Sequence, residues 1–109
     1  MTRSVRTTAV LVCLIMCAGL LFAESGGDVF STKCVSCHGK DGGGKTSFAQ
    51  KATIPDLRSE TIQSKSDRDL HDSIGRGQGH KVYPHAYLMR GMTEGELRAL
   101  IGYIRSIKN

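Results

Sequence analysis

The chain has 109 residues, fifteen Lys and Arg against ten Asp and Glu for a formal charge of +5, and 39% hydrophobic residues. That leaves room for one small domain and excludes a multidomain enzyme, a polytopic membrane protein and a coiled coil. Thirteen glycines, three Phe, three Tyr and no Trp offer little material for a core, so another body is expected to help fill the interior. The four cysteines and four histidines are the candidates for holding it.

The first element is residues 1–23. Arg3 and Arg6 precede an uncharged run from Ala9 to Ala23, AVLVCLIMCAGLLFA. A basic start and an apolar run shorter than the roughly 20 residues of a spanning helix read as a secretory signal cleaved near Ala23. An uncleaved N-terminal anchor is the alternative, and association with a membrane is expected only in that case. Residues 24–109 then form the single mature domain, exported to the periplasm or an equivalent oxidising compartment. Losing Arg3 and Arg6 lowers the net charge to about +3, too mild and too interleaved with acids for nucleic-acid binding. Cys13 and Cys17 leave too, so Cys34 and Cys37 are the cysteines that stay.

Three helices are predicted in the mature part. The first spans Asp28 to Cys37, with Asp28 as cap or first-turn acid and Val29, Phe30 and Cys34 sharing a face. The second starts at Ser66-x-x-Asp69, sets Leu70 and Ile74 four apart and stops at Gly75. The third starts at the capping box Thr93-x-x-Glu96, with Met92 and Leu97 as a hydrophobic staple, and carries the stripe Leu97, Leu100, Ile101, Ile104, Ile107. No segment alternates as a strand would, and the connections 39–63 and 75–92 read as long loops that need a ligand to hold them.

Cys34-Val35-Ser36-Cys37-His38 is C-x-x-C-H, the pattern for covalent haem attachment. Cysteines three apart on one helical turn reach one macrocycle through two thioethers, and the adjacent His38 supplies an axial imidazole. A zinc site would need two more ligands at suitable spacing. A redox dithiol would need a strand–helix setting, and a plain disulfide leaves His38 unexplained. The expected cofactor is therefore one haem c, bound through Cys34 and Cys37.

With GGDVFSTKCVSCHGKDGGGK at the front and LRALIGYIRSIK at the back, the sequence resembles the small class I c-type cytochromes over Gly26–Lys108. The resemblance implies an all-α, compact cytochrome c fold, three or more helices with long loops wrapped around one covalent haem, and electron transfer rather than enzymatic catalysis. It implies that the first and last helices cross, with Phe30 meeting Leu100 and Tyr103 and with Gly26 or Gly27 permitting close approach. It also implies that the Pro55 carbonyl accepts a hydrogen bond from His38 Nδ1 and fixes the ring.

The family's sixth ligand is usually a Met followed by Pro, and here the chain departs from the pattern. Counting by Pro84 lands on Tyr83, whereas counting back from the last helix lands on His85. Met89 lies nearer the helix and is flexible enough to turn, Met92 is assigned to the core, and His80 sits in a solvated stretch. His85 is favoured over Met89 as the metal ligand, giving bis-imidazole iron. His71 reads as a surface or hydrogen-bonded residue. The expected function is an exported, monomeric single-electron carrier between redox proteins. Lys33, Lys40, Lys45, Lys81 and Arg90 are placed to steer acidic partners. The alternatives are a haem enzyme or gas sensor with an exchangeable sixth ligand, and a fixed subunit of a respiratory complex.

Overall fold

The computed structural model describes residues 24–79 and 85–109. The signal reading of residues 1–23, and the readings of His80, Lys81 and Tyr83, lie outside the described residues. Among the described residues six α-helices follow in order: α1 (Gly26–Lys33), α2 (Val35–His38), α3 (Ser47–Ala52), α4 (Glu60–Gln63), α5 (Asp67–Arg76) and α6 (Glu94–Ser106). A 3₁₀ turn at Tyr87–Arg90 precedes α6. Among the described residues there is no strand, and no helix is long and apolar enough to cross a membrane.

Local chemistry sets the helix ends. At α6 the Thr93 hydroxyl accepts from the Glu96 amide at 3.1 Å, while the Glu96 carboxylate accepts from the Thr93 amide at 2.8 Å. Ser66 and Asp69 repeat the arrangement at α5, with 3.0 Å and 3.3 Å. The cap of α1 is Ser25 rather than Asp28, which occupies the first turn and gives its amide to the Ser25 hydroxyl. That helix also divides from α2 at Cys34, whose φ of −117° ends one segment and begins the next.

Two further expectations change. Helix α5 runs through Gly75 and stops at Gly77, which takes the left-handed conformation (φ 77°) that favours glycine. Gly75 is instead a packing residue, since a Cβ there would meet Leu97 Cδ2 at 2.8 Å and Leu88 Cδ1 at 2.9 Å. The connection 39–63 contains α3 and α4, and 75–92 contains the end of α5 and the 3₁₀ turn. These pieces are too short to show a hydrophobic period.

The core sits where α1 crosses α6. Val29, Phe30, Leu97 and Leu100 are almost wholly buried, with Ile101, Ile104 and the staple residue Met92 beside them. Each such side chain contributes about 1.5–3 kcal/mol of burial. Phe30 meets Tyr103 at 5.0 Å between ring centres. Gly26 permits the crossing, because a Cβ there would collide with the Ala99 carbonyl. At the other end Arg105 donates to the Gln63 carbonyl at 2.8 Å and pairs with Asp67, tying α6 to the segment before α5.

Candidate haem site

Beside this crossing opens a cavity of about 740 Å³, within the range of cofactor pockets. Its apolar wall includes Phe30, Ile62, Leu70, Leu100 and Ile104 of the core together with Ile54, Leu57 and Ile74, so the core and the cavity share a wall. Cys34 lines it from the junction of α1 and α2, Cys37 and His38 from α2, and His85 and Tyr87 from the segment before α6.

The proximal motif is held by backbone bonds. The amides of Cys37 and His38 both donate to the Cys34 carbonyl, at 3.2 and 2.9 Å, keeping the two cysteines on one turn. The Gly44 amide donates to the His38 carbonyl at 2.8 Å, and the Thr46 hydroxyl to the Cys37 carbonyl at 2.7 Å. Thr46 also caps α3 by accepting from the Ala49 amide at 3.0 Å. Gly42 and Gly44 have φ of 75° and 67°, which explains glycine at both positions of this turn. Arg58 braces the same region by pairing with Asp56 at 2.9 Å and Asp41 at 3.3 Å. Burial pushes the Cys34 thiol up to about 11, against the opposing pull of Lys33. Cys34 and Cys37 are not joined in a disulfide.

The imidazoles of His38 and His85 come together across the cavity. Their ring centres are 6.0 Å apart, the planes are 22° from parallel, and both Nδ1 atoms are shielded from solvent. Two metal–imidazole bonds of about 2 Å, with each ring centre about 1 Å beyond its nitrogen, span about 6 Å. The spacing is of the size an iron held by both imidazoles would need, were each ring to turn a nitrogen towards it. Among the described residues no group of three or more His, Cys, Asp or Glu is placed to hold a metal ion. Cys34 and Cys37 lie in the same cavity, placed to anchor a macrocycle between the two histidines. The residues fit a covalent haem.

Met89 is not placed with this group. It stands on the 3₁₀ turn, 85% exposed, and does not line the cavity. The turn directs it outward while Leu88 packs against the core. Pro55 lines the cavity, and its carbonyl lies close to Gly44, but no hydrogen bond joins it to His38 Nδ1 among the described residues. His71 lies on α5, half-buried, with Nε2 2.8 Å from Glu94 and Nδ1 3.1 Å from Asp72. The Glu94 carboxylate first, then Asp72, raise its pKa above the ordinary imidazole value.

Sequence reasoning passed over Tyr87, whose ring centre is 5.7 Å from that of His85 and whose hydroxyl donates to the Lys33 carbonyl at 3.2 Å. Its position two residues after a candidate ligand, in a chain with six aromatics, was the available signal. The family model described as Cytochrome c matches residues 23–108. Comparison with curated proteins and with solved structures gives no match.

Proposed function

The chain belongs to the cytochrome c family, haem-binding proteins of electron transfer, and from that premise we propose that it is an exported, monomeric carrier of single electrons with His38 and His85 as its axial ligands. The observation that carries the proposal is the pair of imidazoles 6.0 Å apart in the cavity that also holds Cys34 and Cys37. When bound, haem supplies a one-electron iron couple.

The chain's own residues determine how that couple is used. Cys34 and Cys37 would hold the macrocycle through thioethers, and His38 and His85 would be the residues that bind its iron. Two protein ligands would leave a substrate no site on the metal, and the chemistry supplied would then be outer-sphere electron transfer. The apolar wall from Phe30 to Ile104 excludes water from the centre. Imidazole in place of a thioether sulfur leaves the reduction potential lower than a His/Met centre would have. The Pro55 carbonyl, close to the turn that holds the His38 backbone, is the acceptor proposed to orient the His38 ring once the site is loaded. Exposed Lys33, Lys40 and Lys45, with Arg90, favour partners with acidic docking faces.

The test is to purify the mature protein from a host that matures c-type cytochromes, then measure mass, carbon monoxide binding and partner kinetics. The expected results are one haem on the peptide carrying Cys34 and Cys37, slow carbon monoxide binding by the reduced protein, and reduction by an acidic redox protein that slows with added salt. Ready binding of carbon monoxide at neutral pH would overturn the carrier reading in favour of a haem enzyme or gas sensor. A salt-independent rate would overturn the steering.

A further inference from the structure

Tyr87 touches three parts of the site at once. Its ring leans on His85 at 43° with centres 5.7 Å apart. Its hydroxyl donates to the carbonyl of Lys33, the last residue of α1 and the neighbour of Cys34. The Arg90 guanidinium stands 5.7 Å from the ring centre. The backbone is fixed as well, because the Tyr87 carbonyl accepts from the amide of buried Met92 at 3.0 Å.

His85 itself lies outside any helix. A side chain on such a segment keeps its rotamer freedom unless neighbours remove it. An aromatic ring against an imidazole at this distance is an attractive contact and a steric wall together. Between the two rings Ala86 adopts φ 44° and ψ 38°, a left-handed conformation unfavourable for any residue with a Cβ. The Ala86 carbonyl accepts from the Met89 amide at 3.0 Å, and the Tyr87 contacts add to that bond in holding the bend.

Resting on the bis-imidazole reading above, we propose that Tyr87 is a positioning residue for His85: its ring sets the imidazole opposite His38, and its hydroxyl ties the distal segment to the helix that carries Cys34. The sixth position then opens only when this tie lets go. The hydrogen bond controls how often the position opens, and the ring controls how the imidazole is oriented while it is closed.

The experiment compares the holoprotein with Tyr87→Phe, Tyr87→Leu and His85→Ala. The readouts are the ferric EPR spectrum, the rate of carbon monoxide binding to the reduced protein, and the unfolding midpoint. Tyr87→Phe is expected to keep the EPR signature and bind carbon monoxide about fivefold faster, the effect of one lost hydrogen bond. Tyr87→Leu is expected to bind it faster still and to shift the low-spin g-values, because the wall is gone. Carbon monoxide rates within twofold of wild type in both variants with unchanged EPR, even if the midpoint falls, would show a merely structural tyrosine and overturn the proposal. A His85→Ala spectrum identical to wild type would mean that His85 does not bind iron, and the bis-imidazole reading would fall together with the role of Tyr87.

Discussion

Gly26 gives the most quantitative test of how the fold is built. An alanine there must fit a Cβ against the Ala99 carbonyl, with the Ala99 carbonyl carbon at 2.6 Å and Tyr103 Cβ at 3.0 Å. Two of these atoms are backbone of α6, so relief requires the helices to separate. Overpacking of this kind costs about 1–3 kcal/mol, partly offset by up to about 1 kcal/mol of helix propensity. At about 4–8 °C per kcal/mol for a domain of this size, Gly26→Ala should melt roughly 10 °C below wild type. Two glycines serve as controls. A Cβ at Gly27 has Tyr103 Cε2 as its nearest neighbour at 3.5 Å, an ordinary contact, so Gly27→Ala should melt close to wild type. Gly102 lies inside α6 with nothing within 4 Å of a Cβ, and Gly102→Ala should stabilise by about 0.5–1 kcal/mol. Thermal unfolding of the oxidised holoproteins, followed by far-UV circular dichroism, gives all three values. A Gly26→Ala protein that melts with Gly27→Ala, or above wild type, would refute the close crossing of α1 and α6.

Three other outcomes follow from single contacts. Phe30→Ala empties a site only 1% exposed at the same crossing and should cost about 3–5 kcal/mol, read from the denaturant midpoint; a loss below about 1 kcal/mol contradicts it. Ser66→Ala removes the acceptor for the Asp69 amide and should cost about 1 kcal/mol by the same assay, and no change would show that the box adds nothing. His71 holds its proton more tightly folded than unfolded, because Glu94 and Asp72 only accept hydrogen bonds and imidazolium can donate to both. Its contribution to stability is therefore complete below the unfolded imidazole pKa and is lost as pH rises through the raised folded value. The stability difference between wild type and His71→Gln should shrink over that rise, and a difference independent of pH would contradict the clamp.

What the sequence made legible was local. The boxes at Thr93 and Ser66 depend on residues within a few positions of one another and form as read, and Met92 and Leu97 are both buried in the core. The C-x-x-C-H turn is equally local, and the Phe30–Tyr103 contact followed from the family resemblance. The division of the first helix at Cys34 was not legible, because it turns on one backbone angle. Helices α3 and α4 were hidden for a related reason: four to six residues cannot show a period, and their capping residues Thr46 and Ser59 lie in a stretch rich in Gly, Lys and Ser. Gly75 looked like a stop signal, yet only the packing of Leu97 and Leu88 reveals why glycine stands there. Counting residues could favour His85 but could not show Met89 turned to solvent, since exposure depends on the 3₁₀ turn that directs the chain.

The most direct measurement is the ferric EPR and near-infrared spectrum of the mature holoprotein beside His85→Ala and Met89→Ala. Bis-imidazole iron predicts a low-spin signal without a sulfur-to-iron charge-transfer band, unchanged in Met89→Ala and lost in His85→Ala. A sulfur-to-iron band that disappears in Met89→Ala would contradict the account and make the protein a carrier of higher potential.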